Sequence, residues 1–201
     1  QTDAQAFINA SGLTDLGQAN AVNTLVVDLK AAGVWTKMKA VYPFVGGTAE
    51  SHKWNLKDPR DLDAAYRLVF NGGWTHSSTG ALPNGTTGYA NTYFNPITTS
   101  QSLSSTHMSV YTTSTNSTGT SRGYLGSIGT DATNYTALGF FNGGTLEIGT
   151  IGASSVEYAG RVSGFSGFKL TTTNGSRNNN YFKNNAKINT TSQSNNFFNA
   201  N

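Results

Sequence analysis

The chain has 201 residues, 13 basic and 10 acidic for a formal charge of +3, only 11% charged, and no cysteine. That length suits one sizeable β core, and without cysteine neither a disulfide framework nor a thiolate metal site can form. The basic residues are scattered rather than gathered into a phosphate-tracking stripe, so nucleic acid is not an expected partner. No run of 18 apolar residues exists, and membrane insertion is not expected either.

Residues 3–33 read as helical. Asp3 is placed to cap a short helix through Ala10, with Gly12 as its stop. Asp15 then precedes an amphipathic run in which Ala21, Val22, Leu25, Val26 and Leu29 recur at helical spacing. Gln18 stands three residues after Asp15, as a capping box prefers, and Gly33 is a natural C-terminal stop. The stripe requires a partner, either the body of the same chain or a neighbouring protein. Leu25 and Leu29 are expected to be buried in it.

From Val34 onward, clusters of Gly, Asn, Pro and Ser separate short β-rich runs, which is an all-β pattern. Candidate strands are 38–44, 66–70, 107–113, 122–128, 135–141, 145–151, 156–162, 168–173 and 180–188. Turns follow at Asn142-Gly143-Gly144, Asn174-Gly175 and Asn184-Asn185, where positive φ costs little. Many short strands with tight turns favour a sandwich.

Three pieces of sequence go further. They are Trp35-Thr36-Lys37-Met38-Lys39-Ala40, then Lys57-Asp58-Pro59-Arg60-Asp61-Leu62-Asp63-Ala64-Ala65, then Gly72-Gly73-Trp74-Thr75-His76 leading into Pro83-Asn84-Gly85-Thr86. In order and spacing this run resembles the opening of a concanavalin A-like (laminin G-like) jelly-roll domain found in bacteriophage virion and tail proteins. The resemblance covers residues 13–95; beyond Pro96 it continues only as a strand pattern. Near the end, Tyr181-Phe182-Lys183-Asn184-Asn185 is similar to the Tyr-x-Asn-Gly hairpin of such domains, with Asn185 in the glycine position. Asn also tolerates the left-handed conformation. The resemblance implies a mainly β fold: a jelly-roll sandwich over 34–201, preceded by a helical segment over 1–33 that packs on it. Relatives continue past the point equivalent to Asn201, so it also implies a chain that stops short.

Catalysis finds little footing. A retaining glycosidase needs two carboxylates about 5 Å apart, and laminarinase-like relatives supply them from a Glu-x-Asp-x-x-Glu strand. After Asp63 this chain has only Asp131, Glu147 and Glu157, none in that pattern. Glu147 and Glu157 could meet across neighbouring strands, which keeps a depolymerase open as the alternative. Serine occurs in no Gly-x-Ser-x-Gly elbow. Asp58, Asp61 and Asp63 could begin a calcium site, but Lys57, Arg60 and Arg67 neutralise them, and Asp61 is placed to cap a helical turn before Ala64-Ala65. His52, His76 and His107 lack the i, i+4 spacing of a helical metal site and read as ordinary hydrogen-bonding residues. No metal or cofactor is expected.

Aromatic residues are the remaining lead, since sugar sites join a flat ring to amide, hydroxyl and imidazole groups. In His107-Met108-Ser109-Val110-Tyr111, alternation sends Met108 and Val110 to the core and His107, Ser109 and Tyr111 to the other face. Trp74 and His76 share a face by the same rule, although Trp74 and Trp54 also read as core aromatics. Tyr124 is a further candidate for the platform. Asn84, Asn116, Asn134, Asn174 and Asn189 head Asn-x-Ser/Thr triplets, which a bacteriophage protein would leave unmodified. The expectation is a non-enzymatic tail, fibre, spike or capsid-decorating protein, assembled in the host cytoplasm and present in many copies on the virion. Its expected partners are other virion proteins and host-surface polysaccharide; a purely architectural module without ligand is the other alternative.

Overall fold

A computed structural model describes residues 2–95, 99, 105–113, 125–128, 135–138, 149–153, 167–173, 178–184 and 186–192. The chain divides into two compact units, Gln1–Asn95 and Pro96–Asn201. The protein has a helical N-terminus followed by small antiparallel sheets.

The first unit opens with α1 (Thr2–Ser11) and α2 (Leu16–Ala31). Helix α1 already includes Thr2, so Asp3 is not its cap; it lies in the first turn and pairs with Lys30 of α2. Both helices end at a glycine in the left-handed region, Gly12 and Gly33. At each end the next residue's N–H reaches back five residues, Leu13 to Ile8 and Val34 to Leu29, closing the last turn. Asp15 caps α2 as expected, its side chain accepting from the Gln18 N–H at 2.8 Å. Gln18 does not complete a capping box. Its side-chain amide instead accepts from Gly46 N–H and donates to the Ser78 carbonyl, tying α2 to two distant loops.

Val22 and Val26 carry the buried face of α2 and Leu29 is half-buried, whereas Leu25 is 37% exposed. That corrects the expectation for Leu25, which sits at the margin of a stripe running through Ala19, Val22, Val26 and Leu29. These side chains join Ala4, Phe7, Leu13, Trp35, Trp54 and Leu56 in one core.

The expected strand at 38–44 does not form. Its backbone groups are taken by other partners: Val41 N–H donates to Asn55 Oδ1, and its carbonyl accepts from Leu56 N–H. Tyr42 donates its hydroxyl to the Tyr66 carbonyl, and burial holds its pKa above the ordinary phenol value. Tyr66 is itself left-handed, closing the short 3-10 turn Asp63–Ala65. Leu62, not Asp61, occupies the cap position of that turn and makes no side-chain capping bond. Strands are therefore short: β1 (Val69–Asn71) pairs with β4 (Tyr89–Asn91), and β2 (Trp74–Ser77) forms a hairpin with β3 (Gly80–Pro83). Gly72 connects the two ribbons at φ +70°, and a Cβ there would lie 2.0 Å from the Thr87 carbonyl oxygen. Only glycine fits. Asn84 Oδ1 accepts from the N–H groups of Thr86, Thr87 and Gly88, so the two glycine-containing motifs form one folded corner.

The second unit contains a four-stranded sheet in the order β11, β10, β9, β5 and a three-stranded sheet β6, β7, β8. Their ranges are β5 His107–Thr112, β6 Leu125–Ile128, β7 Tyr135–Leu138, β8 Gly149–Ala153, β9 Gly167–Thr173, β10 Asn178–Lys183 and β11 Ala186–Ser192. Among the described residues all pairings are antiparallel, and β8 runs close to β9 and β10. The 180–188 run divides after Lys183, which pairs with Ala186, and Asn184 of the expected turn has φ +47°; Asn185 lies outside the described residues. The 156–162 strand and the turns at Asn142-Gly143-Gly144 and Asn174-Gly175 lie outside the described residues.

Candidate functional site

On β5, alternation sorts the side chains as expected. Met108 and Val110 pack against the buried Tyr181 of β10. His107 is exposed, Ser109 half-buried, and Tyr111 is 69% exposed. The antiparallel register sets Tyr111 opposite Phe168, Ser109 opposite Leu170 and His107 opposite Thr172, so these six residues share one face. Phe168 is itself 37% exposed, giving the face a second accessible aromatic ring. Its strand end is fixed by Asn184, which accepts from Phe168 N–H and donates its own N–H to the Phe168 carbonyl, both at 2.9 Å. His107 is exposed at the surface, yet the protein atoms around its ring partly desolvate it and lower its pKa, so at neutral pH the imidazole offers one donor and one acceptor. The strip thus has aromatic rings at one end and hydroxyl and imidazole groups along it.

Trp74 belongs to the first unit, and its surroundings differ. It is half-buried, stacks on His76 at 24° and 6.1 Å, and meets the edge of Phe70. Its indole N–H is spent on the carbonyls of Asn71 and Tyr89. Tyr124 lies outside the described residues, as do Glu147 and Glu157.

Sequence reading took His52 and His76 separately; the fold brings them together. A single turn, α3 (Ala49–His52), is capped reciprocally by Thr48 and Ser51. It delivers His52 so that its Nδ1 lies 2.9 Å from His76 Nδ1, while Gly47 N–H donates to His52 Nε2 at 3.2 Å. Phe44 and Phe70 set ring edges against the pair. His52 is 1% exposed, and burial, with a smaller contribution from His76, lowers its pKa to about 4; burial also lowers that of His76. Their separation of 24 positions carries no local signal.

The acidic cluster is ion-paired. Arg60 binds Asp58 with two hydrogen bonds and holds its pKa down, Asp61 meets Lys53 and Arg67, and Asp63 meets Arg67. Lys57 is not one of the neutralising cations. Its ammonium lies 3.7 Å from the Trp35 ring centroid and donates to the Trp35 carbonyl. Among the described residues no group of three or more His, Asp or Glu side chains is arranged to hold a metal. Chelator treatment is therefore expected to leave the melting temperature unchanged; a drop of several degrees restored by calcium would contradict the ion-paired arrangement.

Comparison with protein-family models, curated proteins and solved structures returned no match.

Proposed function

We propose that the chain is a non-enzymatic bacteriophage virion protein of tail, fibre, spike or capsid-decorating type, whose second unit adheres to host-surface glycans. The observation that carries the adhesion reading is the exposed Tyr111 ring, with Phe168 opposite it and His107, Ser109 and Thr172 along the same face. A pyranose offers C–H groups to such a ring and hydroxyls to neutral donors and acceptors. The virion assignment rests on the motif run at 35–93. A concanavalin A-like jelly roll is the fold it implies, and the antiparallel sheets of the second unit are compatible with it.

One stacking contact contributes on the order of 1 kcal/mol, so a single copy binds weakly and many copies on a particle supply the avidity. Tyr111→Ala should reduce adsorption of particles to host cells by far more than it weakens one isolated domain, with folding intact by circular dichroism. Undiminished adsorption by the folded variant removes this face as the receptor site.

A purely architectural role is the second reading. It is favoured by the use to which the motif residues are put: Trp35 lies buried beneath Lys57, Asp58 and Asp61 are held in ion pairs, and Gly72 and Asn84 build a corner. Silence of the assembled protein on a glycan array, with stable assembly, selects that reading.

A further inference from the structure

We propose that His52 and His76 form an acid-released latch that holds the 44–52 loop onto the β2–β3 hairpin. The argument begins with the protons. Gly47 N–H donates to His52 Nε2, so that nitrogen is an acceptor, and a neutral imidazole has one of each kind. The His52 proton therefore sits on Nδ1 and is donated to His76 Nδ1. His76 in turn carries its proton on Nε2. One assignment satisfies both bonds.

A second proton fits on neither ring. On His76 it would occupy Nδ1 and face the His52 N–H; on His52 it would occupy Nε2 and face the Gly47 N–H. Among the described residues, those in contact with the two rings bring no compensating charge: Phe44, Phe70 and Trp74 contribute rings and Gly47 an amide. The ionisable groups beside His52 on its own segment are Glu50 and Lys53, and Lys53 pairs with both Glu50 and Asp61.

Three residues of the loop take left-handed backbone conformations. Gly46 and Gly47 have φ of +88° and +84°, and Phe44 is held at +53°, a region a bulky side chain rarely adopts. The Phe44 ring rests edge-on against His52. Losing the histidine contact therefore frees a strained residue. Gln18, which does not titrate, still bonds Gly46 and Ser78, so the loop stays tethered at Gly46 while the contacts of His52 open.

The sign follows from the lowered pKa values. The closed loop keeps both rings neutral, so its advantage is complete above the ordinary imidazole pKa of about 6.5 and is lost as pH falls toward about 4, where His52 titrates in place. Across that window the opening equilibrium should rise about tenfold per pH unit for each imidazole that gains a proton on opening.

Amide hydrogen exchange of the full chain, corrected for intrinsic rates, tests this between pH 7.5 and 4.5. Protection of the Gly47 amide should collapse with that slope while Val22 and Val26 of α2 hold theirs. His76→Gln, whose carbonyl can accept from His52 but cannot take up a proton, should reduce the slope to about tenfold per pH unit, the share of His52 alone. A pH-independent Gly47 amide in the wild type, or an undiminished slope in His76→Gln, overturns the latch. Nitrogen-15 shifts at pH 7.5 test it without any variant: His52 protonated on Nε2 would refute the tautomer assignment.

Discussion

Phe7→Ala should destabilise the first unit by about 3–5 kcal/mol, the range for deleting a fully enclosed aromatic side chain. Phe7 is 1% exposed and lies in the same core as Val22, Val26, Trp35, Trp54 and Leu56. Its loss opens a cavity that two helices and a loop would have to close together. All three tryptophans, Trp35, Trp54 and Trp74, fall within residues 1–95, so tryptophan fluorescence in a urea titration reports on this unit. Leu25→Ala is the control. With that side chain 37% exposed, the same titration should shift by less than about 1 kcal/mol. Equal effects for the two variants would mean that the helices do not share this core.

The contrast between Phe7 and Leu25 marks what a sequence can convey. The start of α2 and the ends of both helices are readable because their determinants are local: Asp15 caps within three residues, and Gly12 and Gly33 terminate by a conformation that glycine adopts freely. The width of the buried stripe was not, since it depends on what lies opposite. Alternation on β5 was readable for the same local reason, and Met108 and Val110 do face Tyr181. Phe168 carries no such local signal, because its place beside Tyr111 comes from a pairing between strands remote in sequence. The His52–His76 pair is non-local in the same way. The 38–44 segment differs for another reason: its apolar composition suits a strand, but the Asn55 side chain takes the Val41 N–H and the Lys39 carbonyl, and Leu56 N–H takes the Val41 carbonyl.

That side chain leads to the second large effect. Asn55 is 1% exposed and satisfied at every position. Its Oδ1 accepts from the N–H groups of Val41 and Lys57, and its Nδ2 donates to the carbonyls of Lys39 and Ala65. Truncation to alanine removes four partners at once. Each polar group left without a partner away from water costs about 1–3 kcal/mol; with part of this set reaching solvent, a loss of about 2–4 kcal/mol is expected. Asn55→Asp separates donor from acceptor. It retains the two acceptor bonds but sets a carboxylate against two carbonyl oxygens, so at neutral pH it should be at least as damaging as alanine. Protonation turns the carboxyl into a donor that can satisfy one of those carbonyls. The gap between Asn55→Asp and the wild type should therefore narrow as pH is lowered through the carboxyl's pKa, while the alanine variant shows no such recovery. Urea titrations of the three proteins at pH 7 and pH 5 distinguish the cases. A pH-independent deficit in Asn55→Asp would mean that the carbonyls of Lys39 and Ala65 do not depend on this side chain.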